Sequence, residues 1–441
     1  MLKNIATRLR DLFEGIDFLV HGGWRNNDTV YRSSRLLYGL QAFRKAFWIQ
    51  YQLEGYRCFR RAVFQMDWAQ REHIAQTSPR VLSDNARIVV LCFGHLGDLL
   101  HLSPTMREIR RQRPGWKLEL VTGSWNRTFA PRLDVFDAIH YLSPDLTQLH
   151  RGRRADVLPL KYERRFIQQL RHNGMDVLFC PSVPQLAELP LIYALNPGIY
   201  IGYEWELEHV EYSGIKHTQP FNSRHYEMDA IADFLPEFGL ERNGVQLRYR
   251  PAQEGKLRVS AWLREQEVTD GYVVVFPGSG WPGKCWPTDR FATIVSHIAN
   301  RGLKVILAGS AEEKVLCDEI RRLSGGKALV AAGVFSIDES AALIELSVLL
   351  LGNDSVPVHL AAAMGVPSVS LWGPTFVEKW GPRGEKHRCI KSVVLCHCIY
   401  WHPNATCERA GECMKAIQTR EVIRALDEML ESRPDTSPAC L

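Results

Sequence analysis

The sequence predicts an α/β protein with two successive βα series behind a helical extension. Three observations predict it. Short apolar runs recur along the chain, as buried parallel strands do. Stretches of helical length lie between them, so the units read as βαβ. A break at Arg250-Pro251-Ala252-Gln253-Glu254-Gly255 divides the series into two halves.

The bulk numbers agree. At 441 residues the chain exceeds one ordinary core. Apolar content of 46% and charged content of 23% belong to a globular protein. No run approaches the roughly 20 apolar residues that span a bilayer. The N-terminus carries no compact apolar stretch before a small-residue cleavage site, so a cytoplasmic protein is expected. Its 11 cysteines are then expected to be mostly reduced. Residues 1–80 hold 13 Lys/Arg against 7 Asp/Glu, so the chain's whole excess of +5 lies there.

The extension, residues 1–85, places Leu36, Leu40, Phe43, Phe47 and Tyr51 at three- and four-residue steps. Tyr56, Phe59, Val63 and Phe64 prolong that face. Arg35, Arg44, Arg57, Arg60 and Arg61 interleave, and Ser78-Pro79 ends the pattern. Such a helix suits an anionic membrane surface. It equally suits packing on the body or on a second subunit. No nucleic-acid motif is present, which points away from that partner.

Residues 86–250 form the first half. Strands are expected at Ile88–Cys92, Leu118–Thr122, Ala138–Tyr141 and Val177–Cys180, and an irregular stretch at Trp205–His225. Residues 251–388 form the second, with strands at Val273–Phe276, Lys304–Ala308, Ala328–Ala331, Val348–Leu351 and Ser368–Leu371. A cysteine-rich segment and an amphipathic helix over Glu421–Leu430 fill 389–432, and 433–441 read as a tail.

Three strand-to-helix loops carry the chemistry. After the first strand comes Phe93-Gly94-His95-Leu96-Gly97-Asp98, opening a helix that reaches Arg110. The G-x-G-x-x-G fingerprint is absent, so a dinucleotide site is unsupported. Asp98 is either a reactive carboxylate or a first-turn charge that suits the helix dipole. After Val275 comes Phe276-Pro277-Gly278-Ser279-Gly280-Trp281-Pro282-Gly283-Lys284-Cys285-Trp286-Pro287. Its glycines let backbone approach a ligand, and Lys284 offers a compact charge for a phosphate. The alternative is an ordinary loop with a solvated lysine. After Leu351 comes Asn353-Asp354-Ser355-Val356-Pro357-Val358-His359, at the N-terminus of a small-residue helix where an anion is favoured. The alternative there is that Asp354 or Ser355 caps the helix and His359 packs inside.

These blocks, in this order, resemble glycosyltransferase family 9, the lipopolysaccharide heptosyltransferases. The resemblance rests on Gly97-Asp98 with Pro104, on Lys284-Cys285-Trp286-Pro287, on Asp354-Ser355-x-x-x-His359, and on Gly373-Pro374-Thr375. It covers roughly residues 86–425. Val356 departs from it, standing where the family usually has glycine.

The resemblance implies two Rossmann-like domains facing across a cleft, the GT-B arrangement, with the last helix crossing back to the first half. It implies inverting transfer of a sugar, a heptose from ADP-heptose first of all, to a hydroxyl of lipopolysaccharide core. The acceptor would be a glycolipid or glycan at the inner face of the cytoplasmic membrane. Asp98 would be the base and Lys284 the phosphate-binding cation. Gly97, Ser279 and Gly280 would line the site with Gly373, Pro374 and Thr375. Asp354, Ser355, Val356 and His359 would hold the diphosphate and sugar. Glu313 would hold the ribose, with Glu312 the alternative by one residue of register. No Asp-x-Asp pattern stands near these loops, so no catalytic metal or cofactor is expected. A transferase acting on a protein or another glycan, and a non-catalytic nucleotide-binding scaffold, remain as alternatives.

Cys389, Cys396, Cys398, Cys407 and Cys413 crowd together with His387, His397 and His402. Cys396, Cys398, Cys407 and Cys413 could ligate a structural zinc or iron. A local disulfide and plain buried thiols are the alternatives.

Overall fold

The computed structural model describes residues 82–142, 166–170, 172–182, 197–203, 215–219, 225–394 and 411–431, with Ile192, Leu195 and Cys407 singly. The chain divides into compact units at Met1–Ala69 and Gln70–Leu441, and every described residue belongs to the second. The amphipathic stretch of the extension, Cys396, Cys398 and the 433–441 tail lie outside the described residues.

Two six-stranded sheets make the body. The first contains β1 (Arg87–Leu91), β2 (Lys117–Gly123), β3 (Ala138–Leu142), β4 (Val177–Cys180), β5 (Ile199–Tyr203) and β6 (Ile215–Gln219). Its order is β3-β2-β1-β4-β5-β6, all parallel. The second contains β7 (Tyr272–Phe276), β8 (Lys304–Leu307), β9 (Leu329–Val330), β10 (Leu349–Asn353), β11 (Ser368–Trp372) and β12 (His387–Lys391). Its order, β12-β11-β10-β7-β8-β9, is the same doubly wound pattern, again all parallel. Strand order reverses between β1 and β4, and between β7 and β10. Ligands of open parallel sheets bind beyond the strand carboxyl ends at such points.

The central strands Arg87–Leu91 and Tyr272–Phe276 are buried along their whole length, as the apolar runs Ile88–Leu91 and Tyr272–Phe276 demand, with Arg87 paired to Glu119. Three strands differ from expectation. Ile215–Gln219 pairs with β5 inside the stretch expected to be irregular. Its sequence, IKHTQ, is polar because it is an edge strand. β5 interrupts its apolar run with Gly202. His387–Lys391 pairs with β11 and spans the expected 388/389 border, so Cys389 lies in the sheet.

Among the helices, α1 (Leu96–Gln112) keeps Pro104 in its interior. A proline there removes an N–H from the ladder. The Ser103 hydroxyl donates to the Leu100 carbonyl at 2.9 Å and makes good that loss. Next come α2 (Glu227–Ala232), α3 (Gln253–Glu265), α4 (Thr288–Asn300), α5 (Lys314–Leu323), α6 (Ile337–Glu345), α7 (Val356–Met364), α8 (Val377–Trp380), α9 (Glu412–Ala416) and α10 (Thr419–Glu431). The expectation that the last helix crosses to the first half is corrected. Val422, Leu426 and Met429 of α10 bury against α4 and the second sheet, and Asp427 accepts from His297 and Arg301 at 2.9 and 2.8 Å. Its apolar face is matched to the second core, so that is where burial is gained.

Both halves share one continuous core that includes Ile88, Leu99, Met106, Tyr272, Leu350 and Val358. Polar contacts tie them further. Asp338 of α6 accepts from Tyr249 at 2.8 Å and pairs with Arg132 at 3.1 Å. No described helix is long and apolar enough to cross a membrane.

Candidate active site

The β1–α1 turn is built around a glycine that yields space to a carboxylate. A Cβ on Gly94 would collide with the Asp98 side chain. Asp98 folds back so that its Oδ2 accepts from the His95 backbone N–H at 2.6 Å. Asp98 does stand as an acidic residue in the first turn of α1, and it stays half-exposed. The turn is anchored from outside, because the Gly94 carbonyl accepts from Trp125 Nε1 and Asn126 Nδ2, both at 3.0 Å.

The β7 loop is bolted to β10 by Asn353, which is fully buried. Asn353 Nδ2 donates to the Pro277 carbonyl at 2.7 Å, and its Oδ1 accepts from the Trp286 N–H at 3.2 Å. Trp286 itself is buried, with Nε1 donating to the Ile417 carbonyl at 3.1 Å. Between these anchors Lys284 is aimed at the β10–α7 turn, its Nζ 2.8 Å from Asp354 Oδ2. His359 Nε2 lies 3.8 Å from the other oxygen of that carboxylate. Burial opposes ionisation of Asp354, but Lys284 and His359 outweigh it and hold the carboxyl well below its usual range.

The capping alternative is not what this turn shows. Ser355 is the residue before α7, but its side chain makes no cap and donates instead to the Asn353 carbonyl at 3.1 Å. Val356 opens α7 half-buried. Asp134 and Glu267 are the described non-glycine residues with positive φ, so Val356 bears no left-handed strain. Its departure from glycine is steric, not conformational.

The other expected residues cluster at the same strand ends. Glu313 seats its carboxylate on Gly278, where any Cβ would overlap it, and Oε2 accepts from the Ser310 N–H at 2.8 Å. Glu312 is exposed, whereas Glu313 lies against the loop. Ser279 is half-buried and Gly280 exposed. Gly373, Pro374 and Thr375 follow β11, and Thr375 Oγ1 is buried without a hydrogen-bond partner among the described residues. Of the cysteines, Cys413 is buried against Gly373 and Cys407 accepts from the Gly411 N–H at 3.0 Å. Among the described residues no three His, Cys, Asp or Glu converge as a metal site.

The halves meet at these turns. A Cβ on Gly97 would sit 3.6 Å from His359 Cδ2. The His101 and His359 rings lie edge to face with centroids 4.7 Å apart. Glu227 of α2 and Lys379 of α8 form a buried pair at 2.6 Å. Burial raises the Glu227 pKa, Lys379 opposes the rise, and the Asp98 carboxylate adds to it. Arg383 pairs with Asp229 at 2.7 Å and stacks over Tyr226 at 3.6 Å.

Residues 164–398 match the family model described as Glycosyltransferase family 9 (heptosyltransferase). The chain belongs to glycosyltransferase family 9. It is 38% identical over 299 residues to lipopolysaccharide heptosyltransferase 3 of Escherichia coli K12, covering 66% of this chain and 83% of that one. It is 30% identical over 327 residues to lipooligosaccharide heptosyltransferase 2 of Haemophilus influenzae, covering 69% and 88%. Among solved structures, a family 9 glycosyl transferase from Veillonella parvula superposes with TM-score 0.66 at 20% identity, over 79% of this chain and 98% of that one. E. coli heptosyltransferase WaaC with ADP superposes with TM-score 0.56 at 16% identity, over 78% and 99%.

This glycosyltransferase has the GT-B fold, and four of its contact residues were not legible in advance. His101, Asn353, Glu227 and Lys379 meet partners far away in sequence. A buried-looking polar residue inside an apolar stretch, as in Leu99-Leu100-His101-Leu102, was the one available signal.

Proposed function

We propose that this enzyme transfers a heptose from ADP-heptose to a hydroxyl of lipopolysaccharide core, with inversion at the anomeric carbon. The closeness of Gly97 to His359, where an added Cβ would meet the ring, carries the proposal, because it sets the Asp98 turn near the Lys284–Asp354–His359 group. The relatives named as heptosyltransferases, and the related structure holding ADP, support the sugar and the nucleotide.

Asp98 takes the proton of the acceptor hydroxyl. The freed oxygen bonds to the anomeric carbon, and the bond from that carbon to the diphosphate oxygen breaks. ADP departs with the electron pair. Lys284 and the N–H groups opening α7 offset its charge, with Ser279, Gly280, Ser355 and Val356 lining the pocket. Asp354 and His359 hold the sugar, Glu313 holds the ribose, and Thr375 with Gly373 and Pro374 closes the edge.

Mass spectrometry of the enzyme with a heptose-bearing core acceptor and a panel of nucleotide sugars tests this. A one-heptose mass gain with ADP-heptose is expected. Transfer from a different nucleotide sugar, with none from ADP-heptose, overturns it. The basic extension would hold the enzyme at the anionic inner leaflet. Near such a surface each basic residue contributes about 1 kcal/mol. Salt-sensitive binding of the full chain to anionic vesicles, lost in a chain beginning at Ser83, is expected. Loss of oligomeric state or solubility on truncation, with no vesicle binding by the full chain, would show a packing element instead.

A further inference from the structure

His101 has no part in the transfer as described, yet it sits where the two halves touch. It lies one helical turn past Gly97 on α1, and Nδ1 is 2.8 Å from the Gly97 carbonyl. That bond makes Nδ1 the protonated nitrogen of a neutral ring. The ring packs edge-on against His359 at 4.7 Å, Trp380 at 5.7 Å and Tyr226 at 6.4 Å. It therefore faces α7, α8 and the residue that precedes α2 at once. The side chain is 1% exposed, and Nε2 has no hydrogen-bond partner among the described residues. A leucine or methionine would fill this space without a buried, unpartnered nitrogen, which is costly. A purely structural position gains nothing from the imidazole.

We propose that His101 is a positioning residue for the transfer: its Nδ1–H fixes the Gly97 carbonyl, and its ring sets the Asp98 turn against His359. This rests on Asp98 and His359 acting in the transfer. The neutral state is secure, since burial first and the facing His359 second push the imidazole down to about 3. The charged groups acting on it are Asp354 before α7 and Lys379 on α8, and Lys379 is itself paired with Glu227 on α2. A neutral ring there places no charge beside His359. The catalytic carboxylate and the donor-side histidine then keep a fixed separation without a covalent tie.

The test compares His101→Leu with His101→Asn, since the Asn amide can occupy the Nδ1 position and donate to Gly97. Misplacement of a reacting group by about 1 Å can cost about 10²-fold. His101→Leu is expected to lower kcat by about that factor, with ADP affinity by calorimetry within about twofold of wild type. His101→Asn is expected to recover about tenfold of the loss, as restored geometry should. Nitrogen-15 spectra of histidine-labelled wild type should show the Nδ1–H tautomer at neutral pH. Equal kcat in both variants, or wild-type kcat in His101→Leu, overturns the proposal. Parallel loss of ADP affinity, melting temperature and kcat in both variants makes His101 a packing residue and also overturns it. The tautomer is read without turnover, so an Nε2–H ring refutes this inference even if the donor proves not to be ADP-heptose. A normal turnover in Asp98→Asn removes the base assignment instead.

Discussion

The first and second halves repeat one sheet order and use it for opposite electrostatic ends. Each opens with a buried strand and a glycine turn that gives way to a carboxylate: Gly94 to Asp98, and Gly278 to Glu313. In the first half the carboxylate comes from the same turn, caps its own helix and stays half-exposed. In the second it comes from the next βα unit, and the switch point holds a part-buried Lys284–Asp354 pair with His359 alongside. One fold thus carries a carboxylate poised on a turn in one copy and a charge-balanced pocket in the other. Chemistry resides in the loops, and the sheets fix where the loops meet.

The strongest way to break this comparison is Asp98→Asn. The amide oxygen can still accept from His95, so the fold and ADP binding should persist while kcat falls by about 10²–10⁴-fold. Turnover within a few-fold of wild type would leave the first half without its base. Next is Lys284→Ala, which should weaken ADP binding by about 1.5–3 kcal/mol, the usual size of a hydrogen bond to a charged group. It should also lower the melting temperature, because Asp354 is left buried without its cation. Calorimetry showing unchanged ADP affinity would deny the second half its phosphate site.

A smaller effect sharpens the comparison at the seam. His101 is held at about 3 by burial and His359, and His387 at about 4 by burial and Lys386, against an ordinary 6.5. Their folded values lie below the unfolded one, so the unfolded chain binds the extra protons. Stability is therefore full above the ordinary value and is lost as pH falls below it. Replacing His101 with Leu removes one such proton. The slope of unfolding free energy between pH of about 6 and 4 should drop by about 1.4 kcal/mol per pH unit. An unchanged slope in urea titrations would mean His101 is not a buried neutral ring. The smallest effect belongs to Val356→Gly. No strain is relieved there, and glycine costs about 0.5–1 kcal/mol in a helix. A small drop in melting temperature with unchanged donor preference is expected, and a switch of preferred nucleotide sugar would make Val356 a specificity residue.

The residues that lie on strand-to-helix turns were readable in the sequence. Lys284 and Asp354 follow an apolar run and precede a helix, Asp98 and His359 lie just inside one, and motif order linked them to one family. Glu312 and Glu313 could not be told apart in the sequence, and the packing of Glu313 against Gly278 is a tertiary feature. The edge strands β6 and β12 were not readable, since polar, half-paired segments lack the apolar signature of central strands. The destination of α10 was misjudged because an amphipathic pattern shows that a face is buried, not against what.

By itself the sequence determined the alternation of buried strands and helices, the α/β class that follows from it, and the motif order that resembles one family. Periodicity and turn chemistry are local, so they survive in a one-dimensional string. Only the tertiary structure decided that Asn353 clamps the β7 loop, that Glu227 faces Lys379, and that the His101 ring packs against His359. Those pairings join residues as much as 258 positions apart, from His101 to His359. What brings them together is two sheets sharing one core, and burial of that core has no local trace in the chain.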